Sequence, residues 1–140
     1  MRSKQSSTYN LVLPSNPKAV SRVELFLHKI CTSIGLDDDR FNKLLVAATE
    51  AVNNSIIHGN KRDPKKHVTI SCTVLKTVLI IRVEDEGPGV DPATLPDPLS
   101  KKNLLRENGR GVFLMRSLMD NVVFTQSIGQ SSVTMKMKLR

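Results

Sequence analysis

"LLVAATEAVNNSIIHGN", residues 44–60, decides how the rest of the chain is read. It has no Gly or Pro before Gly59, is long enough for several helical turns, and carries one acidic side chain, Glu50. At about 100° per residue, Phe41, Leu45, Ala48, Val52 and Ser55 fall on one side of a helix and Glu50, Asn54 and His58 on the other. A wet outer face would carry Lys, Glu and Arg throughout. Here Val46, Ala47, Ala51 and Ile57 flank Glu50, so the second face is expected to be covered as well. A carboxylate in such a place is either paired or used, because burying it bare is very costly. Two readings stand at this point: a semi-exposed Glu paired with a lysine beside two surface polar residues, or a functional stripe.

The flanks sort into strands and helices. "TYNLVLP", residues 8–14, alternates Tyr9, Leu11 and Leu13 with Thr8, Asn10 and Val12 and ends at Pro14, as a first strand would. Asn16 as N-cap, Pro17 at the first helical position and Gly35 past the end bound an amphipathic helix with Val20, Val23, Leu27, Ile30 and Ile34 on one face. The second helix starts near the acidic run 37–39, which suits the positive end of its dipole, and extends from about Phe41 to Ile57. "HVTISCTVL" and "TVLIIRVED" form a hairpin turning near Lys76. A proline-rich stretch follows, then the helix "GVFLMRSLMD", the strand "NVVFTQSI", a turn around Gly129 and a last strand. In that strand Val133, Met135, Met137 and Leu139 alternate with Thr134, Lys136, Lys138 and Arg140, so one face is core and the other wet.

The order β-α-α-β-β-α-β-β, with two hairpins and no regular βαβ alternation, predicts an α+β fold: a two-layer sandwich with a mixed, mostly antiparallel sheet and three helices on one face. No repeat or linker divides the chain, so residues 1–140 are read as one domain.

The totals exclude several classes. No run approaches the ~20 apolar residues of a membrane helix, and the polar start "MRSKQSSTYN" has no apolar core of a secretory signal. A cytoplasmic protein with no membrane partner is expected. The two cysteines, Cys31 and Cys72, lack metal-ligand spacing and are expected as free buried thiols. The excess of 21 Lys and Arg over 13 Asp and Glu, a net charge of +8, favours an acidic partner. Nucleic acid is disfavoured, because aromatics are 4% with no Trp and do not interleave with basic residues as in a stacking platform.

Two further constellations accompany Glu50, Asn54 and His58. "VEDEGPGVD" places Asp85, Gly87 and Gly89 as D-x-G-x-G after an apolar strand, where glycines let backbone approach a ligand and the Asp presents an acceptor; a plain Gly-Pro turn is the other reading. "ENGRGVFLM" places Gly109 and Gly111 ahead of a helix whose free N–H groups and positive dipole suit a phosphate. Each motif alone is weak.

In order, E-A-x-x-N-x-x-x-H-G on a helix, D-x-G-x-G after a strand and G-x-G opening a helix form a specific set. The chain resembles the Bergerat-fold (GHKL) ATP-binding superfamily, and within it the compact anti-sigma-factor serine kinases, over roughly Tyr9 to Lys138. The resemblance implies ATP and Mg²⁺ as cofactors. It implies Glu50 as general base toward a serine or a water, Asn54 as the Mg²⁺ ligand, and His58 and Gly59 beside the nucleotide. It implies Asp85 as the acceptor for the adenine amino group, with Gly87 and Gly89 shaping the pocket wall. Asn108, Gly109, Arg110 and Gly111 match the second glycine box, which holds phosphates, and Ser132 falls where relatives often carry a threonine near adenine. Arg110 within that box is unusual: it binds phosphate or stands in solvent. The stretch between Asp91 and Asn108, with Lys101, Lys102 and Arg106, is expected to close over the triphosphate and to vary without nucleotide.

Relatives that are sensor histidine kinases carry a phosphoacceptor histidine on a separate dimerisation helix; this sequence has none, and His28 and His67 are expected at the surface. The implied function is an ATP-dependent anti-sigma-type serine/threonine kinase that phosphorylates a small antagonist protein and regulates a sigma factor. A homodimer is compatible with the resemblance. The alternative is a nucleotide-dependent protein-binding switch without significant transfer; the retained Glu50 favours the kinase, because binding alone needs no base.

Overall fold

In the computed structural model, which describes residues 6–87 and 107–139, the alternating segments form five strands. They are β1 Ser7–Pro14, β2 His67–Val74, β3 Val78–Asp85, β4 Asn121–Ser127 and β5 Gln130–Lys138. The sheet order is β1-β2-β3-β5-β4. Every pair among these strands is antiparallel, so the expected mixed character is corrected. The reason lies in the connections. Two helices carry the chain from β1 back alongside β2, and the crossover after β3 lands on the far edge, from which a hairpin returns β5 beside β3.

The helical layer comprises α1 Ser21–Ser33, α2 Asp38–Asn54 and α3 Glu107–Leu118. A 3₁₀ turn at Pro17–Val20 leads into α1; it has Pro at the start and Asn16 as cap, whose side chain accepts the Lys18 N–H. The cap of α2 is Asp37, which accepts from the Arg40 N–H, and Asp38 and Asp39 fill its first turn. α2 therefore starts and ends earlier than the expected span of 41–57. At Ser55 it widens into a π-helical turn, Ser55–Gly59, a rare geometry that concentrates at functional sites.

One hydrophobic core joins the layers. α1 contributes Val23, Leu27 and Ile30; α2 contributes Leu44, Ala47, Ala48, Ala51 and Val52; the sheet contributes the inward rows of Ile70, Ile81 and Met135. Ala47 and Ala51 on the Glu50 side of α2 are buried, as expected of a second covered face. Val46 is 43% exposed, however, so the second face is covered only in part. Ile34, expected in the core, follows the end of α1 and is exposed. Cys31 and Cys72 are free and buried, and burial pushes their thiols up to about 11 and about 12.

The turn after the π-helical segment is held in an uncommon shape. Lys61 and Arg62 have φ of 53° and 59°, the left-handed region that costs about 1–2 kcal/mol for a residue with a β-carbon. Asn60 fixes it from below: buried to 1% exposure, its amide donates to Ser15 Oγ and the His67 carbonyl and its oxygen accepts the Glu86 N–H.

Candidate nucleotide-binding site

The end of α2, the π-helical turn, the end of β3, the body of α3 and the β4–β5 hairpin converge on one cavity of about 270 Å³. The two motifs distant in sequence meet here. Asn54, Ser55, His58 and Gly59 line one side and Asp85 and Gly87 the floor. Val112 and Met115 of α3 and Phe124 and Val133 of the hairpin supply apolar walls, and Gln126, Ser131 and Ser132 polar ones. A few convergent polar groups between apolar walls suit a flat heterocycle.

Asp85 is 6% exposed and sits between two glycines. A β-carbon on Gly59 would overlap its carboxylate, and one on Gly87 would lie 2.8 Å from both Asp85 Oδ1 and the Gly59 carbonyl oxygen. Backbone from two separate motifs therefore closes around one carboxylate at a distance only glycine permits. Burial pushes the Asp85 carboxyl above the usual carboxylate range; the N–H of Gly87, which donates to Oδ1 at 2.9 Å, and the Ser55 hydroxyl pull the other way. Glu84 adds to the upward push and Lys66 opposes it.

Two acceptor groups stand out in the lining. The desolvated Asp85 carboxylate offers acceptor lone pairs on the cavity floor. Gln126 Oε1, in the cavity wall, is buried with no hydrogen-bond partner among the described residues, and an orphaned acceptor of this kind calls for a donor from a ligand.

Glu50 and Asn54 stand one helical turn apart and face α3. A β-carbon at position 111 would lie 3.0 Å from Glu50 Oε2 and 3.1 Å from Asn54 Nδ2, so Gly111 leaves the space these side chains occupy. Glu50 is half-buried and lies beside the cavity rather than among its lining residues. His58 lines the cavity yet is exposed. Asn108 to Gly111 fall inside the first turn of α3, which begins at Glu107, and not ahead of it as the sequence suggested. Arg110 is exposed there. Ser132 lines the cavity and pairs across the sheet with Glu84. Gly89 and the stretch with Lys101, Lys102 and Arg106 lie outside the described residues. His28 and His67 are exposed as expected.

Sequence reasoning passed over Ser55, Gln126, Ser131, Val112 and Met115. Ser55 and Gln126 are ordinary residues in a helix and a strand pattern, and only the register that puts Ser131 opposite both Asp85 and Gln126 brings them together.

Among the described residues no group of three or more His, Cys, Asp or Glu could hold a metal ion. A cation here would draw one oxygen from Asn54 and the rest from phosphates and water, as suits Mg²⁺.

An antiparallel sheet under one helical layer, with an acidic floor between glycines and an Asn at the end of a buried helix, defines a nucleotide-binding domain. Residues 13–137 match the family described as Histidine kinase-like ATPase domain, and the chain belongs to that family. It is similar to the serine-protein kinase RsbW of Listeria monocytogenes, 30% identical over 132 residues that cover 90% of this chain and 84% of that one. It is similar to the anti-sigma F factor of Geobacillus stearothermophilus, 32% identical over 96 residues, 67% of this chain and 66% of the relative. A crystal structure of the RsbU and RsbW domains of a Mycobacterium tuberculosis protein shares the fold, with a TM-score of 0.71 at 17% identity over 95% of this chain and 32% of that one.

Proposed function

We propose that this chain is an ATP-dependent serine/threonine protein kinase of the anti-sigma type, acting on a small antagonist protein and regulating a sigma factor. The observation that carries the site is the convergence of Asp85, Gly59 and Gly87 with Asn54 around one cavity beside Glu50. The curated relatives, named as serine-protein kinases and an anti-sigma factor, supply the direction in which the site is used.

In this reading Asp85 accepts from the adenine amino group, while Gly87, Gly89 and Ser132 shape the pocket around the base. His58 and Gly59 border the nucleotide. Asn54 holds Mg²⁺ through its side-chain oxygen; bound Mg·ATP supplies the phosphoryl group and the counter-charge for its transfer. Asn108, Gly109, Arg110 and Gly111 present the first turn of α3 to the phosphates, where free N–H groups and the helix dipole favour negative charge. Glu50, one helical turn from Asn54, takes the proton of the acceptor hydroxyl. Its half-burial beside Gly111 keeps it close to the phosphate end and away from the base pocket.

The whole chain is read as one ATP-binding domain working in the cytoplasm. No helix among the described residues is long and apolar enough to cross a membrane. A homodimer belongs to the same proposal: β1 is an edge strand of the sheet, with Tyr9 and Val12 exposed. No direct role for nucleic acid is proposed.

The test is to incubate the protein with γ-labelled Mg·ATP and its cognate antagonist. Label on an antagonist serine is the expected result. Intact ATP binding with no transfer by the wild type would overturn the kinase and leave the nucleotide-dependent binding switch.

A further inference from the structure

The loop that follows the π-helical turn, residues 60–66, has the sequence Asn-Lys-Arg-Asp-Pro-Lys-Lys and starts directly after Gly59, a cavity-lining residue. Lys61, Arg62 and Lys65 are exposed and form no ion pair among the described residues. Asp63 Oδ1 accepts the Lys65 N–H, and Glu86 accepts the His67 N–H and stands beside its imidazole. Lys66 differs: it is half-buried and its charge bears on Asp85.

The backbone of this loop is rigid. Arg62 N–H donates to the Ile56 carbonyl, Asp63 N–H to the Asn60 carbonyl and Lys66 N–H to the Asp63 carbonyl, while Ser15 Oγ donates to the Lys66 carbonyl. Lys61 and Arg62 nevertheless occupy consecutive left-handed positions, where Gly or Asn would be relaxed. Among the described residues neither long side chain forms an ion pair that would offset the strain. Strain of this kind persists at places where function uses it.

We propose that Lys61, Arg62 and Lys65, on the loop that leaves the cavity wall at Gly59, form a cationic platform that docks an acidic surface of the partner protein carrying the acceptor serine. The proposal rests on the kinase reading for the identity of that partner. Charge complementarity favours it, since the chain carries +8 overall and these three exposed cations form no ion pair among the described residues. A protein surface is preferred to nucleic acid because the loop offers no aromatic side chain for stacking and flanks a phosphoryl-transfer site.

The experiment is calorimetric titration of the full chain with its cognate antagonist at low and high salt, for the wild type, for Lys61→Glu, Arg62→Glu and Lys65→Glu combined, and for Arg62→Gly. Titrations with Mg·ATP and with a mixed-sequence DNA duplex accompany them. The triple substitution is expected to weaken antagonist binding at least tenfold at low salt, with the difference shrinking at high salt and Mg·ATP affinity unchanged. Arg62→Gly is expected to raise the thermal midpoint by about 3 °C while weakening antagonist binding, a pairing that a purely structural role would not give. Unaltered antagonist affinity in both variants would overturn the platform and leave the kinase reading intact. Loss of DNA binding alone would overturn it in favour of nucleic acid. No binding of antagonist by the wild type would overturn both.

Discussion

At the residue scale, Asp85 holds the clearest tension between stability and use. Its carboxyl is pushed up by burial, so the folded state holds a proton more tightly than the unfolded chain does. The contribution to folding is then fully present below the ordinary carboxylate range and is lost as pH rises through the folded pKa. Asp85→Asn keeps an oxygen for the Gly87 N–H and removes the buried charge. The substituted protein without nucleotide is expected to melt above the wild type at pH 7, with the gap closing as the pH falls toward 4, by differential scanning calorimetry. The same substitution is expected to weaken ATP binding at least tenfold, about 1.4 kcal/mol, because the acceptor proposed for the adenine amino group is replaced by an amide that can turn its donor to the base. Equal ATP affinity in calorimetry would remove Asp85 from the adenine pocket. Gly59→Ala tests the same carboxylate from its other side: the added methyl overlaps it, and ATP affinity is expected to fall even where the protein stays folded.

At the scale of elements, α2 and its π-helical continuation position Glu50, Asn54 and His58 for the role proposed. Ala47 and Ala51 let α2 settle into the core on the Glu50 side, and Asn60 ties the turn after it to the residue following β1, to β2 and to the residue following β3. Asn60→Ala would remove the donor to Ser15 Oγ and to the His67 carbonyl and the acceptor of the Glu86 N–H, a loss of about 1–3 kcal/mol measurable by urea unfolding. This arrangement was legible in the sequence only in part. The helix, its lone carboxylate and the i, i+4, i+8 spacing of Glu50, Asn54 and His58 follow from periodicity. The π-helical widening at Ser55 does not, because no side chain announces a hydrogen bond that skips one residue further. The start of α3 at Glu107 was likewise hidden, since two glycines in three residues read as a loop and tertiary packing against α2 outweighs their low helix propensity.

For the whole molecule, the alternation of β1, β2, β3 and β5 and the two hairpins made the sheet readable, and the three boxes made the site readable as a set. The part of the β4–β5 hairpin that lines the cavity was not: Gln126 and Ser131 join it through register, which sequence does not state. Because the cavity draws on α2, α3, β3, β4 and β5, nucleotide bound there is expected to stabilise the fold as a unit. At a hundredfold excess over Kd, Mg·ATP is expected to add about 2.7 kcal/mol to the unfolding free energy, visible as a rise in Tm, and Asp85→Asn is expected to lose most of that rise. A fold that gained nothing from Mg·ATP would place the nucleotide elsewhere.

The central claim is that Glu50 is the base in a site that binds nucleotide without it. Single-turnover transfer from γ-labelled Mg·ATP to the antagonist, measured for Glu50→Gln alongside its ATP affinity, tests this most directly. Loss of transfer by about 10²-fold or more with ATP affinity within a few-fold of wild type is the predicted result. Transfer at the wild-type rate by the Glu50→Gln protein would contradict it.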